Sequence, residues 1–344
     1  MIVPAPLLDA AIRRLLRARG LSAQHAGDVA SALIETSLDG IDTHGVRLLK
    51  TYLLELEGGR AIATPELRVD GALPATCVLD AGNALGAVAM SEAMRIVCDR
   101  AAQCGVAAVA VANSNHFGAA GHYARIAAGR GQIGLVFSNS DALVVPFGGS
   151  TPLNGTNPLA MAAPGMDGDD FAFDMATSHA AFSRVSQALD AGCEVEAAAV
   201  QGDRLAVTAQ HTVPILQPLG GAKGQGLAMA IQILCALLAD MPYDAELSHL
   251  YTPPYDRPRR ISHFAIAIEI GGFVDPTHFE TRLTELHRRF RASTPAGDAS
   301  VAVPGDRERA SRAQRMRDGI ALDADLRTLI APWLSSDPAT AETQ

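Results

Sequence analysis

The chain has no surplus of positive charge. Its 344 residues carry 28 Lys and Arg against 37 Asp and Glu, a formal charge of −9 and a pI near 5.5. That leaves no basic field to hold a nucleic-acid backbone or an anionic membrane. Cysteine is also scarce: Cys77, Cys98, Cys104, Cys193 and Cys235 are odd in number, scattered, and form no C-x-x-C pair. They read as reduced core thiols rather than a disulfide framework. No apolar run reaches the ~18 residues of a membrane span. The opening stretch MIVPAPLLDAAIRRLLRARG lacks the basic-then-apolar order of a signal peptide, so the expected location is the cytoplasm.

Four catalytic signatures are missing as well. There is no G-x-G-x-x-G after an N-terminal strand, no G-x-x-x-x-G-K-[ST], no G-x-S-x-G and no H-E-x-x-H. Standard Rossmann, P-loop, α/β-hydrolase and zincin readings are thereby excluded. The histidines are too dispersed for a metal centre, and none is expected.

What is present is concentrated between residues 106 and 178. Apolar runs of strand length (VAAVAVA, IGLVFSNS, FAFDM) end in Asn, Ser, Gly and Pro: NSNHFGAAGHY at 113–123, PFGGSTPLNGTNPLAMAAP at 146–164, DMATS at 174–178. Such residues supply bends, bare backbone N–H groups and short polar side chains, which is how a ligand site at strand ends looks.

Around this middle the chain alternates. Leu7–Ala18 has helical apolar spacing with Gly20 beyond it, and Ser22 can cap a second helix that fails near Gly40. A third helix is expected from about Val46 to Glu57, with Asp42, Thr43 and His44 ahead of its first turn. Two short strands in 61–82, a helix over 87–103 and a strand from Val106 give a β-α-β pattern. Residues 180–192 suggest a helix, 193–216 are irregular, GLAMAIQILCALLAD is a strong apolar helix, ISHFAIAIEI a strand and 276–291 an amphipathic helix. A polar loop at 293–311 precedes a helical end. Helical termini around a β-rich middle indicate one helical layer built from both ends and a nested domain between.

Several residues are candidates for chemistry. His44 stands at a predicted helix start, whose positive dipole end favours a neutral, titratable ring; Thr43 can orient it. The alternative is a capping histidine. His116, crowded by Asn113, Ser114 and Asn115, is unusual for a core histidine, and Gly118 and Gly121 leave N–H groups open to an anion. His122 reads as a surface residue. Asp174 ends a strand, as a ribose acceptor or a helix cap. Lys223, flanked by glycines in GGAKGQG, suits a phosphate or carboxylate, or else is a solvated loop lysine.

Taken in order, DTHGV (42–46), NSNHFGAAGHY (113–123), GTNP (155–158), DMATS (174–178), GGAKGQGLAM (220–229) and PGDRE (304–308) resemble the non-Rossmann malate/L-lactate dehydrogenase family, which also includes sulfolactate, ureidoglycolate and diketogulonate enzymes and piperideine- and pyrroline-2-carboxylate reductases. The resemblance implies an α/β fold with a mixed, largely antiparallel nucleotide-binding sheet nested in a helical and substrate domain. It implies segments 1–60 and 292–344 as the helical domain, 61–125 and 271–291 as the substrate side, and 126–270 as the NAD(P) domain. It further implies a homodimer and hydride transfer between NAD(H) or NADP(H) and a small 2-oxo or cyclic 2-imino acid.

Carried onto this chain, His44 would donate the proton, Thr43 would polarise it, and His116 would be a second site histidine. Thr156 would touch the substrate. Ser140, Asp174, Met175, Ala176, Lys223, Asp306, Arg307 and Glu308 would hold the dinucleotide. The chain departs from the family where an arginine is expected four residues after the histidine: Leu48 stands there, with Arg47 one position early, and Arg184 is a candidate replacement anchor for the substrate carboxylate. The alternative reading is a non-catalytic, ligand-binding paralogue.

Overall fold

In the computed structural model, residues 1–180, 182, 206–208, 211–213, 215–297 and 300–334 are described. The N-terminal helices form as their patterns predict. α1 (Ala5–Ala18) buries Leu8, Ile12, Leu15 and Leu16, one stripe of a 3.6-residue period. α2 (Ala23–Leu38) begins where the Ser22 hydroxyl accepts the His25 N–H. The third helix, α3 (Leu49–Gly58), starts later than expected, because 3₁₀ turns at Asp42–His44 and Val46–Leu48 precede it.

The centre is one seven-stranded sheet, in the order β2 (Arg68–Leu73), β3 (Thr76–Asp80), β4 (Val106–Ser114), β10 (Ile261–Glu269), β5 (Gln132–Ser138), β6 (Leu159–Ala163), β7 (Phe171–Met175). Only β3 and β4 run parallel, joined by α4 (Gly86–Cys104); every other pair is antiparallel. The sheet is mixed and largely antiparallel, as the resemblance implied. Strands from residues 61–125 and from 126–270 share it, with β10 between β4 and β5.

Helices α4 and α5 (Ala120–Ala128) cover one face, so small residues line the contact: Ala87, Ala93, Ala107, Ala124 and Ala127 are all buried. His122 on α5 is buried rather than on the surface, set edge-on to Tyr123, because α5 is enclosed between sheet and helices. The terminal segments meet directly, as β1 (Ile2–Val3) pairs with β11 (Ile320–Ala321).

Two further expectations needed correction. Within the stretch read as irregular, β8 (Ala206–Thr208) and β9 (His211–Val213) form a small antiparallel hairpin. The loop read over 293–311 gives way at Asp306 to a helix, Asp306–Asp318. Its sequence, DRERASRAQRMRD, has no apolar stripe, so periodicity could not reveal it. Ion pairs to α2 hold it instead: Arg312 reaches Glu35 and Asp39 at 2.6 and 2.8 Å. The expected helix over 180–192 lies outside the described residues.

Candidate active site

Polar stretches from separate parts of the chain converge on one cleft of about 300 Å³. Thr43 and His44 enter from the Asp42–His44 turn; His116, Phe117 and Gly118 follow β4. Ser138 to Asp141 run on from the end of β5, Thr156 faces them, and Asp174, Met175 and Ala176 close the far end at the end of β7. The last wall is 249–261, with His249, Tyr251 and Arg259.

The Thr43-His44 turn is braced from behind. Arg315 gripping Asp42 through both guanidinium nitrogens, at 2.5 and 3.0 Å, also donates to the Ser37 carbonyl. The Ser37 hydroxyl accepts the Val46 N–H at 2.9 Å, and a side chain at Gly45 would run into Ser37. Held this way, His44 Nδ1 lies 2.9 Å from the Thr43 hydroxyl. Burial pulls the ring's pKa below its usual value. The expected helix dipole is not the cause, since α3 begins only at Leu49, beyond the second turn.

His116 sits across from His44, with ring centroids 5.9 Å apart and planes inclined by 30°. Asn115 fixes the preceding loop by donating to the carbonyls of Asn83 and Ala84. The Gly118 N–H and the Tyr52 hydroxyl both address His116 Nδ1, at 3.3 and 3.1 Å. A backbone N–H can only donate, so Nδ1 is the acceptor and the neutral ring carries its proton on Nε2. Burial holds the His116 pKa well below its usual value, and the nearby His44, Arg259 and His263 lower it further. His263, itself buried between the Ser138 and Ser114 hydroxyls at 2.8 Å each, stacks on Phe117 at 4.5 Å.

On the opposite bank, Ser140 and Thr156 are tied together. The Thr156 N–H donates to Ser140 Oγ at 2.9 Å, and Ser140 N–H to Asn157 Oδ1 at 3.1 Å. Beneath them the buried Asp244 carboxylate accepts from Gly155 N–H and Asn157 Nδ2, fixing the loop. Burial pushes the Asp244 carboxyl up to about 6, against those hydrogen bonds.

Asp174 Oδ2 accepts the Gly121 N–H at 2.7 Å, while Oδ1 has no protein partner among the described residues. Its surface is reachable by solvent, yet the depth of the cleft strips away bulk water and pushes its carboxyl up to about 6, with Glu308 and Asp39 adding to the effect. The open carboxylate oxygen fits a ribose diol; the Gly118 and Gly121 N–H groups, expected from the sequence to stay open to an anion, are instead taken up by His116 and Asp174.

Other residues singled out in the sequence lie elsewhere. Arg47 points outward, half exposed, with Nε 3.9 Å from Asp323. Lys223 is exposed on the first turn of the helix Ala222–Gln232 and does not line the cleft. Asp306 is engaged by Arg291 and Arg309; Arg307 is exposed, and Glu308 lies near enough to Asp174 to act on its charge. Arg184 lies outside the described residues.

The cleft also contains groups the sequence did not signal. Arg259 is buried against Asp141 at 2.5 Å and the Ser248 carbonyl at 2.8 Å. It is one of three arginines in RPRR, with no pattern to separate it from its neighbours. Tyr52 falls on the apolar stripe of α3 and reads as core.

The chain's relatives are consistent with this arrangement. It is 32% identical over 328 residues to the ureidoglycolate dehydrogenase (NAD(+)) of Escherichia coli strain K12, covering 95% of this chain and 94% of that one. It is 31% identical over 315 residues to the L-sulfolactate dehydrogenase of Methanocaldococcus jannaschii, covering 91% and 90%. The solved delta1-piperideine-2-carboxylate reductase from Pseudomonas syringae pvar. tomato superimposes with a TM-score of 0.84 at 29% identity, over 97% of this chain and 99% of that one. The family model for malate/L-lactate dehydrogenase matches residues 3–330, and the chain belongs to that family.

Proposed function

We propose that this oxidoreductase moves a hydride between NAD(H) or NADP(H) and C2 of a small 2-oxo acid or cyclic 2-imino acid. The carrying observation is the pair of half-buried, neutral-leaning imidazoles, His44 and His116, facing one another in a cleft whose far end holds an open carboxylate at Asp174. The dinucleotide, when bound, supplies or receives the hydride. The chain's own work is to bind, orient and move a proton. Negative charge grows on the oxygen or nitrogen at C2 as hydride arrives, and a positioned donor there accelerates the step ~10²–10⁴-fold.

In this reading His44 is the donor. Thr43 pairs with its Nδ1 and leaves Nε2 to the substrate. His116 is the second proton-handling residue, its tautomer set by Gly118 and Tyr52. Thr156 contacts the substrate. Ser140, Asp174, Met175 and Ala176 hold the nicotinamide half of the dinucleotide, and Lys223, Asp306, Arg307 and Glu308 its more distant parts. The substrate carboxylate goes to Arg259, the cleft's buried guanidinium, rather than to the outward-facing Arg47; Arg184, outside the described residues, is the alternative anchor for that same carboxylate. The non-catalytic reading gains no supporting observation.

The working unit is proposed to be a homodimer, with residues 126–270 on the dinucleotide side and the two terminal segments as the helical layer. Met229, Ile233 and Leu237, four residues apart and about half exposed, make an apolar stripe suited to a second copy. Light scattering in solution tests that point. The activity itself is tested by following NADH and NADPH oxidation with purified protein and a panel of 2-oxo acids and cyclic imino acids. Turnover of none, with dinucleotide bound, would sink it.

A further inference from the structure

We infer that the cleft is built for a substrate bearing one carboxylate and no second anionic group. This rests on the C2 reading above and narrows its substrate class.

The argument is one of charge. Among the described residues lining the cleft, Arg259 is the single lysine or arginine. Its Nη2 is committed to Asp141 at 2.5 Å and to the Ser248 carbonyl, and its Nε to the same carbonyl at 3.0 Å. Only Nη1 has no protein partner among the described residues, which leaves one donor edge for one carboxylate. Asp141 already offsets most of the guanidinium charge, and Asp174 adds a further acid at the far end. The histidines do not redress the balance. Burial lowers the pKa of His44, His116 and His249, and the ring nearest Asp141, His249, stands 3.8 Å from it.

The rest of the described wall carries no cation: beside neutral polar groups such as Thr43, Ser140 and Thr156 it is apolar, with Leu48, Leu143 and Ile261. A second carboxylate or a sulfonate on C3 of the substrate would lose its water against this wall and meet no counter-charge. A methyl, a ring methylene or a neutral polar group would not. The relatives divide along the same line of charge. Malate and sulfolactate are dianions, whereas ureidoglycolate and piperideine-2-carboxylate carry one carboxylate, and the chain is about equally similar to enzymes named for either.

A matched pair of oxo acids reads this out. 2-Oxobutanoate and oxaloacetate share a four-carbon skeleton and differ by a methyl in place of a carboxylate. With the full-length protein and NADH or NADPH, kcat/KM for 2-oxobutanoate or another monocarboxylate of the panel should exceed that for oxaloacetate and sulfopyruvate by at least ~10²-fold. Leu143→Lys, a partly exposed wall position, should narrow that gap ~10-fold by supplying a cation. Oxaloacetate or sulfopyruvate turned over within tenfold of the best monocarboxylate would overturn this inference alone. Silence across the whole panel would instead overturn the C2 reading beneath it, and this inference with it.

Discussion

His44 and His116 stand face to face with ring centroids 5.9 Å apart, each half-buried in the cleft and lowered in pKa by desolvation, so charging both imidazoles at once is costly. The site thus accommodates one proton between two rings. His44→Ala should lower turnover of the working substrate ~10²-fold or more while nucleotide affinity stays nearly intact. The same substitution should raise the pKa of His116, since His44 is the second cause, after burial, of its depression. Titration of the ring by NMR measures the shift; an unmoved His116 would show that the two rings do not interact.

The pH profile follows from the same depression. Reduction needs the donor ring protonated, and burial puts both rings below the ordinary value of 6.5. The kcat/KM for reduction should therefore decline as pH rises through an inflection below 6.5, and oxidation of the hydroxy or amino acid should gain over the same interval. A reduction limb that holds level to pH 8 and falls only beyond it would assign the proton to another group.

Gly121 and Asp174 make a sharper test of the dinucleotide end. A methyl at position 121 would lie 3.1 Å from both Asp174 Cβ and Oδ2. Gly121→Ala should push the carboxylate aside and stretch its hydrogen bond, weakening dinucleotide binding ~10-fold as read by quenching of nucleotide fluorescence. Unchanged affinity would remove Asp174 from the cofactor site.

Glu55 governs stability rather than chemistry. It is fully buried, its nearest cation, Arg60, is 3.7 Å away, and neither oxygen accepts a hydrogen bond among the described residues. Burial raises its pKa from 4.5 to about 7, opposed by Arg259 and Arg60. Below 4.5 the carboxyl is protonated in folded and unfolded chains alike. As pH rises from there to 7 the unfolded chain ionises first, so stability is lost across that window and levels off above it. Glu55→Gln should flatten this slope, by an amount on the order of 3 kcal/mol between pH 4.5 and 7.5. Urea denaturation at several pH values measures it, and parallel curves for the two proteins would refute the assignment.

The sequence by itself determined the regular elements and the family. The apolar stripe of α1, the Ser22 cap, the β-α-β run through β4 and the helix Pro276–Arg291 all follow from local periodicity and capping, which act within a few residues. The ordered motifs likewise marked Thr43, His44, His116, Thr156 and Asp174 before any geometry was known. Tertiary structure decided the rest. The helix Asp306–Asp318 exists through ion pairs to Glu35, Asp39 and Asp42, contacts nearly the whole chain away that leave no periodic trace. Arg259 reaches the cleft, and Tyr52 reaches His116, only because the 249–261 segment and α3 are folded against the loop after β4. The neutral bias of His44 arose from burial in the closed cleft rather than from the helix that follows it. Charge, burial and facing distance depend on what lies across the fold, and a linear pattern carries none of that.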